Sequence, residues 1–252
     1  MTQAELFSLL EEKYLQYNQS SFIETDPIAV PHQFTLKQDI EIAGFLSATI
    51  AWGNRKSIVA NARRLLQMMG TSPYEFLVNA EPEDFKPFLR FVHRTFNGDD
   101  CLFFLTSLQH IYRTYESMEP LFGSLNDHGA AHAINSFREV FLTTMHLRRS
   151  EKHIASPLSG SSAKRINMFL RWMVRHDGRG VDFGIWPSLD PAKLVCPLDV
   201  HVGRISRELG LLHRTHSDWK AALELTDMLK SFDQEDPVKY DFALFGLGMF
   251  EK

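Results

Sequence analysis

Residues 158–209 read LSGSSAKRINMFLRWMVRHDGRGVDFGIWPSLDPAKLVCPLDVHVGRISREL, and the reading of this stretch decides the fold. It opens on a small-residue turn, Ser159-Gly160-Ser161-Ser162. A helical pattern follows over Ala163–Arg175, with Ile166, Phe169, Leu170, Met173 and Val174 on one face. Lys164, Arg171 and Arg175 fall on another side, where charged side chains are expected in solvent. A loop rich in Gly, Pro and Asp then runs to Pro197. Asp199 stands just before a second pattern, Val200–Leu209, in the position of an N-cap.

Working outward, the same 3.6-residue period recurs on both sides. Leu6, Leu9, Leu10 and Tyr14 predict a helix over Ala4–Tyr17. Ile40, Ala43, Gly44, Ser47 and Ile50 predict one over Leu36–Ala51, and their small size predicts close packing. Trp52-Gly53-Asn54 breaks that pattern, and a helix over Lys56–Met69 follows, with Gly70 at its C-cap. A short helix is expected over Pro73–Ala80. Phe88 and Phe91 anchor the next segment. Asp99 or Asp100 is expected to cap Cys101–Tyr115, and Ala130–Arg148 to bury Ile134, Phe137, Phe141 and Met145. Ser217 or Asp218 is expected to cap Trp219–Leu229, and Pro237 suits the first turn of a last helix over Asp236–Met249. No segment alternates as a strand does, so the fold class is all-α.

The balance of residues is that of a globular chain able to bury a core: 44% apolar and 23% charged over 252 residues. The net charge of -4 gives no overall attraction to nucleic acid. Charge is uneven, however. Arg148, Arg149, Lys152, Lys164, Arg165, Arg171, Arg175 and Arg179 crowd one segment that holds only Glu151 and Asp177 as acids. Such a segment, with a small-residue turn leading into a helix, favours an anionic partner such as a nucleic-acid backbone. Two cysteines, Cys101 and Cys196, exclude a four-thiolate metal site and suggest a reduced interior. No run of apolar residues is long enough to span a membrane, and a cytoplasmic location is expected.

The residues of this stretch carry a family resemblance. LSGSSAKRI (158–166) resembles the hairpin of the helix-hairpin-helix DNA glycosylases typified by endonuclease III and 8-oxoguanine DNA glycosylase, whose pattern is Leu-Pro-Gly-Val-Gly-x-Lys. Leu158, Gly160 and Lys164 match it. Ser159 replaces the Pro, and Ser162 replaces the second Gly. PLDVHVGRISRELGL (197–211) resembles the family's Asp run, with Asp199, His201 and Arg204 in place. FLSATIAWGNRKSIVANARRLL (45–66) is similar to its early helix pair, and KYDFALFGLGMF (239–250) to the closing helix of the 8-oxoguanine branch. The chain looks most like a bacterial family related to the archaeal 8-oxoguanine glycosylases.

The resemblance implies one glycosylase-like unit over 1–252. Residues 38–198 would form a central helical subdomain carrying the hairpin 158–164. Residues 1–37 plus 199–252 would form a second helical subdomain, with a cleft between the two. It implies a monomer that acts on damaged duplex or single-stranded DNA and needs no cofactor and no metal. Lys164 would be the nucleophile and Asp199 its carboxylate partner. Gly160, Ser161, Ser162, Arg165, Asn54 and Arg55 would touch the DNA. His201 and Arg204 would be structural. A flipped base needs an aromatic wall. Trp52, Trp172 and Trp186 are the candidates, with Trp186 favoured because it lies in the unusual loop. A non-catalytic nucleic-acid binder and a helical protein-interaction module are the competing expectations.

Overall fold

Helix α3 (Lys37–Thr49) buries eleven of its thirteen residues, and the rest of the chain is arranged about it. Its buried carboxylates are hydrogen-bonded: Asp39 accepts from the Tyr74 amide, and Glu41 accepts from the Tyr112 hydroxyl and the Trp186 indole. The computed structural model describes residues 1–251, and among them the regular structure is helical, with only two isolated bridges, His93–Phe96 and Ser161–Asp218. Before α3 come α1 (Gln3–Tyr17), α2 (Ser20–Ile23) and two 3-10 turns. After it come α4 (Arg55–Gln67), α5 (Pro73–Asn79), α6 (Gly98–Thr114), α7 (Leu125–His128) and α8 (Ala130–Phe141). Residues 158–209 supply α9 (Lys164–Val174) and α10 (Val200–Glu208), followed by α11 (Trp219–Lys230) and α12 (Asp241–Phe250).

The small residues of α3 serve close packing as expected: α9 lies against it, and a Cβ at Gly44 would stand 3.1 Å from the Met173 methyl. The two chain ends meet, because α1 and α10 both pack on α12. Twelve per cent of the chain is aromatic, and much of it forms the core under α3. Phe45, Phe104, Phe137, Phe141 and Phe169 touch one another at ring separations between 5.0 and 5.9 Å. Among the described residues no helix is long and apolar enough to cross a membrane.

Several boundaries differ from the sequence reading, each for a local reason. Asn97, not Asp99 or Asp100, caps α6: its side chain accepts from the Asp100 amide while the Asp100 carboxylate accepts from the Asn97 amide, a reciprocal capping box. Helix α8 stops at Phe141, where Ser107 Oγ donates 2.9 Å to the Phe141 carbonyl that another helical turn would have used. Met145 therefore lies outside the helix and is 97% exposed. Residues 237–240 form a 3-10 turn, and α12 begins at Asp241. The largest departure is the basic face of α9. Arg171 and Arg175 are buried, not solvated. Aspartates of the following loop and of the C-terminal region compensate them: Asp182 and Asp241 for Arg171, and Asp177, Asp182 and Asp236 for Arg175.

Candidate active site

Lys164 owes its position to the turn before it. Pro157–Ser159 is a 3-10 turn closed by left-handed Gly160 (φ 86°), whose open surroundings leave the backbone facing solvent. The Gly160 carbonyl accepts from the Trp219 amide at 3.0 Å, and Ser161 bridges to Asp218, so the start of α11 holds the turn. Ser162 does not adopt positive φ. The left-handed residue is the next one, Ala163 (φ 48°), which immediately precedes Lys164. A non-glycine residue in this region carries strain and is found where the surroundings over-determine it. The chain entering the turn consists of two 3-10 turns, Arg148–His153 and Pro157–Ser159. No α-helix lies between Phe141 and Lys164 among the described residues, so the helix-hairpin-helix element expected from the sequence is not shown.

Asp199 caps α10 as its position in the sequence predicts. Its Oδ1 accepts from the amides of His201 and Val202, both at 2.9 Å. Its Oδ2 is 3.8 Å from the Lys164 amine, and both side chains keep a minority exposure of 19% and 25%. The pair lies in a pocket of about 720 Å³, within the range of small-molecule sites. Phe22, Trp52, Met168 and Phe245 give it apolar walls, while Asp26, Arg55, Arg171 and Asp241 bring charge.

Residues 26–250 match the family model DUF2400, whose description is a protein of unknown function. The chain belongs to the DUF2400 family. No curated protein and no solved structure matches it.

In this DUF2400 chain the other residues singled out in the sequence have distinct fates. Trp186 is fully buried and does not reach the pocket: its Nε1 donates 2.6 Å to Glu41, and its ring meets Phe169 edge-on at 5.3 Å. Trp172 is equally buried. Neither can stack on a base. Trp52 does line the pocket, held by a stacked His153 at 5.6 Å and by the Arg165 guanidinium 4.8 Å from its ring. That arrangement corrects the expectation for Arg165. Its guanidinium turns inward to donate to the Thr49 carbonyl, and burial lowers its pKa to about 10. Asn54 caps α4 through the Ser57 amide at 3.2 Å. Arg55 reaches the pocket but pairs with Asp26 at 2.6 Å and lies 4.9 Å over Phe245. His201 and Arg204 hold α10 on α12: a Cβ at Gly248 would touch the His201 Cβ at 3.0 Å, and Arg204 donates to the Gly248 carbonyl at 3.3 Å. Gly160, Ser161 and Ser162 form the surface turn leading into Lys164.

Sequence reasoning missed Asp241. It lines the pocket at the first turn of α12, bonded to Arg171. Burial raises its carboxyl to about 6; Arg171 opposes that shift and the Asp199 charge adds to it. A signal was present in part, since Lys164 and Arg171 are seven residues apart and so share a helix face. Nothing in the sequence connects that face to a residue 70 positions further on.

Proposed function

We propose that this protein is a DNA glycosylase with associated AP lyase activity, acting on an oxidised purine such as 8-oxoguanine. The observation that carries the reading is the meeting of the Lys164 amine and the Asp199 carboxylate at 3.8 Å in an apolar-walled pocket. The two groups come from helices separated by a long loop, and their resemblance to the glycosylase pattern identifies the same two positions. The choice of lesion rests on that resemblance.

The chemistry follows from the two groups. Lys164 loses a proton to water, and its nitrogen attacks C1′ of the damaged nucleotide. The C1′–N bond breaks, and its electron pair leaves with the base, which takes up a proton. Opening of the sugar ring turns the amine adduct into an iminium. Loss of a C2′ proton then expels the 3′ phosphate. Throughout, Asp199 Oδ2 stabilises positive charge developing at the sugar, while Oδ1 stays occupied by the helix cap. The base would leave the stack to occupy the pocket, against Phe22, Phe245 and the edge of Trp52.

Borohydride reduces the iminium to a stable amine, so covalent trapping tests the reading directly. Wild-type protein is expected to cross-link to duplexes carrying 8-oxoguanine or an abasic site, and Lys164→Gln is expected to give no cross-link while still binding DNA. Absence of trapping by the wild type on both substrates, or equal trapping by the Gln variant, rules out Lys164 as the nucleophile.

A further inference from the structure

Two non-glycine residues adopt positive φ. Ala163 immediately precedes Lys164. Arg94 (φ 54°) has no part in the chemistry above, and its side chain lies against Gly53, which lines the pocket. It forms the tip of a tight turn in which the His93 amide donates to the Phe96 carbonyl at 2.8 Å and the Phe96 amide returns the bond at 2.9 Å. Asn or Gly is the usual choice for a left-handed turn tip. An arginine there is held against its backbone preference.

The surroundings supply the constraint. The His93 ring bonds to the Trp52 carbonyl at 3.2 Å and to Asn61 at 3.1 Å. Arg64 donates to the Val92 carbonyl at 3.2 Å, and Arg149 to the Thr95 carbonyl at 3.1 Å. The Arg94 side chain lies across Gly53, a pocket-lining residue: a Cβ at Gly53 would meet an Arg94 guanidinium nitrogen at 2.8 Å and its Cδ at 3.0 Å. The guanidinium is exposed and forms no ion pair or hydrogen bond within the described residues. In this it differs from its neighbours at the pocket. Arg55 is taken by Asp26, Arg165 by the Thr49 carbonyl, and Arg171 by Asp182 and Asp241. The local field is positive as well. Burial lowers the pKa of His93, and Arg94 and Arg64 lower it further.

We infer that the Arg94 guanidinium, set beside the pocket-lining Gly53 by its strained turn and left without an acidic partner, binds a backbone phosphate of the nucleic-acid strand that delivers its nucleotide to the pocket. Strain of this kind is retained where it serves a site, and a planar guanidinium suits a phosphodiester. The inference rests on the nucleic-acid substrate proposed above, though not on Lys164 chemistry.

The test is a salt titration of binding, read by fluorescence anisotropy. The probes are a duplex bearing a tetrahydrofuran abasic analogue and its undamaged counterpart, between about 50 and 200 mM salt. Arg94→Met keeps an apolar stem over Gly53 and removes the charge. Its log K against log salt slope should be smaller than wild type by about 0.9 on both duplexes, as for one lost phosphate contact. Arg94→Gly relieves the backbone strain as it removes the guanidinium, so it should melt no lower than wild type and lose the same slope. An unchanged slope in Arg94→Met overturns the inference and leaves the Lys164 reading intact. A reduced slope together with failed borohydride trapping does the reverse. If the wild type binds neither duplex, both readings fall.

Discussion

Asp199 divides its carboxylate oxygens between two tasks: Oδ1 caps α10, and Oδ2 faces Lys164. The tasks can be separated. Asp199→Asn keeps an oxygen for the cap and loses the charge, so thermal stability should be close to wild type while lesion turnover drops by about 10²–10³-fold, the range for losing one group that stabilises transition-state charge. Asp199→Ala should add a loss of about 1 kcal/mol from the missing cap. Normal turnover in the Asn variant would leave Asp199 a cap and nothing else. A glycine at position 162 would match the second glycine of the glycosylase pattern, yet Ser162 has no positive φ to relieve. Ser162→Gly should cost about 0.4–1 kcal/mol through greater freedom of the unfolded chain, with no gain in DNA affinity; tighter binding would contradict the observed backbone. The helix starts at Lys164 and Asp199 were legible because a turn and a cap are local signals, whereas the pairing of the two side chains was implied only by the glycosylase resemblance. Trp186 was misread because a Trp in a Gly- and Pro-rich loop gives no hint of its bond to Glu41, 145 residues away.

Among the elements, α3, α9 and α10 were legible almost to the residue, since the apolar pattern marks all three and Asp199 caps α10. The end of α8 was not, because the Ser107 hydroxyl that takes the Phe141 carbonyl comes from another helix. Pairing of elements is also settled by residues whose role appears only in three dimensions. Gly246 on α12 is such a case: a Cβ there would stand 2.0 Å from the Tyr17 ring of α1. Two effects compete in Gly246→Ala. Helix propensity favours the change by about 1 kcal/mol. Overpacking against a ring costs about 1–3 kcal/mol, and its Cγ, which stands 2.4 Å away, cannot swing aside as a flexible chain end would. Packing should prevail, with a lower urea midpoint and faster amide exchange in α1. A variant at least as stable as wild type would show that α1 yields without penalty.

Across the whole molecule, buried charges join segments that the chain order keeps apart. Arg175 links Asp177, Asp182 and Asp236 with the Tyr14 hydroxyl of α1, and Arg171 links Asp182 with Asp241 of α12. This was not legible, because period alone places charge outside, and Tyr14, Asp236 and Asp241 are remote in sequence even though Asp177 and Asp182 are near. The consequence is a pH dependence made of opposed contributions. Burial raises Asp241 from 3.8 to about 6. A raised folded value means that its contribution is full below the unfolded value and is lost as pH rises through about 6. Burial lowers His153 from 6.5 to about 4, Asp100 opposing and Arg165 assisting. A depressed folded value for a base means that its contribution is full above the unfolded value and is lost as pH falls towards about 4. The two windows overlap, and each shift is worth on the order of 3 kcal/mol, so they nearly cancel in the wild type. Asp241→Asn removes one side of the balance. Its stability, measured by urea unfolding, should therefore fall on acidification from about pH 6.5 to 4, by up to that amount relative to wild type. His153→Gln should show the opposite slope over the same interval. A profile for Asp241→Asn that parallels the wild type would mean that Asp241 is already ionised in the folded protein near neutral pH and below, held so by Arg171.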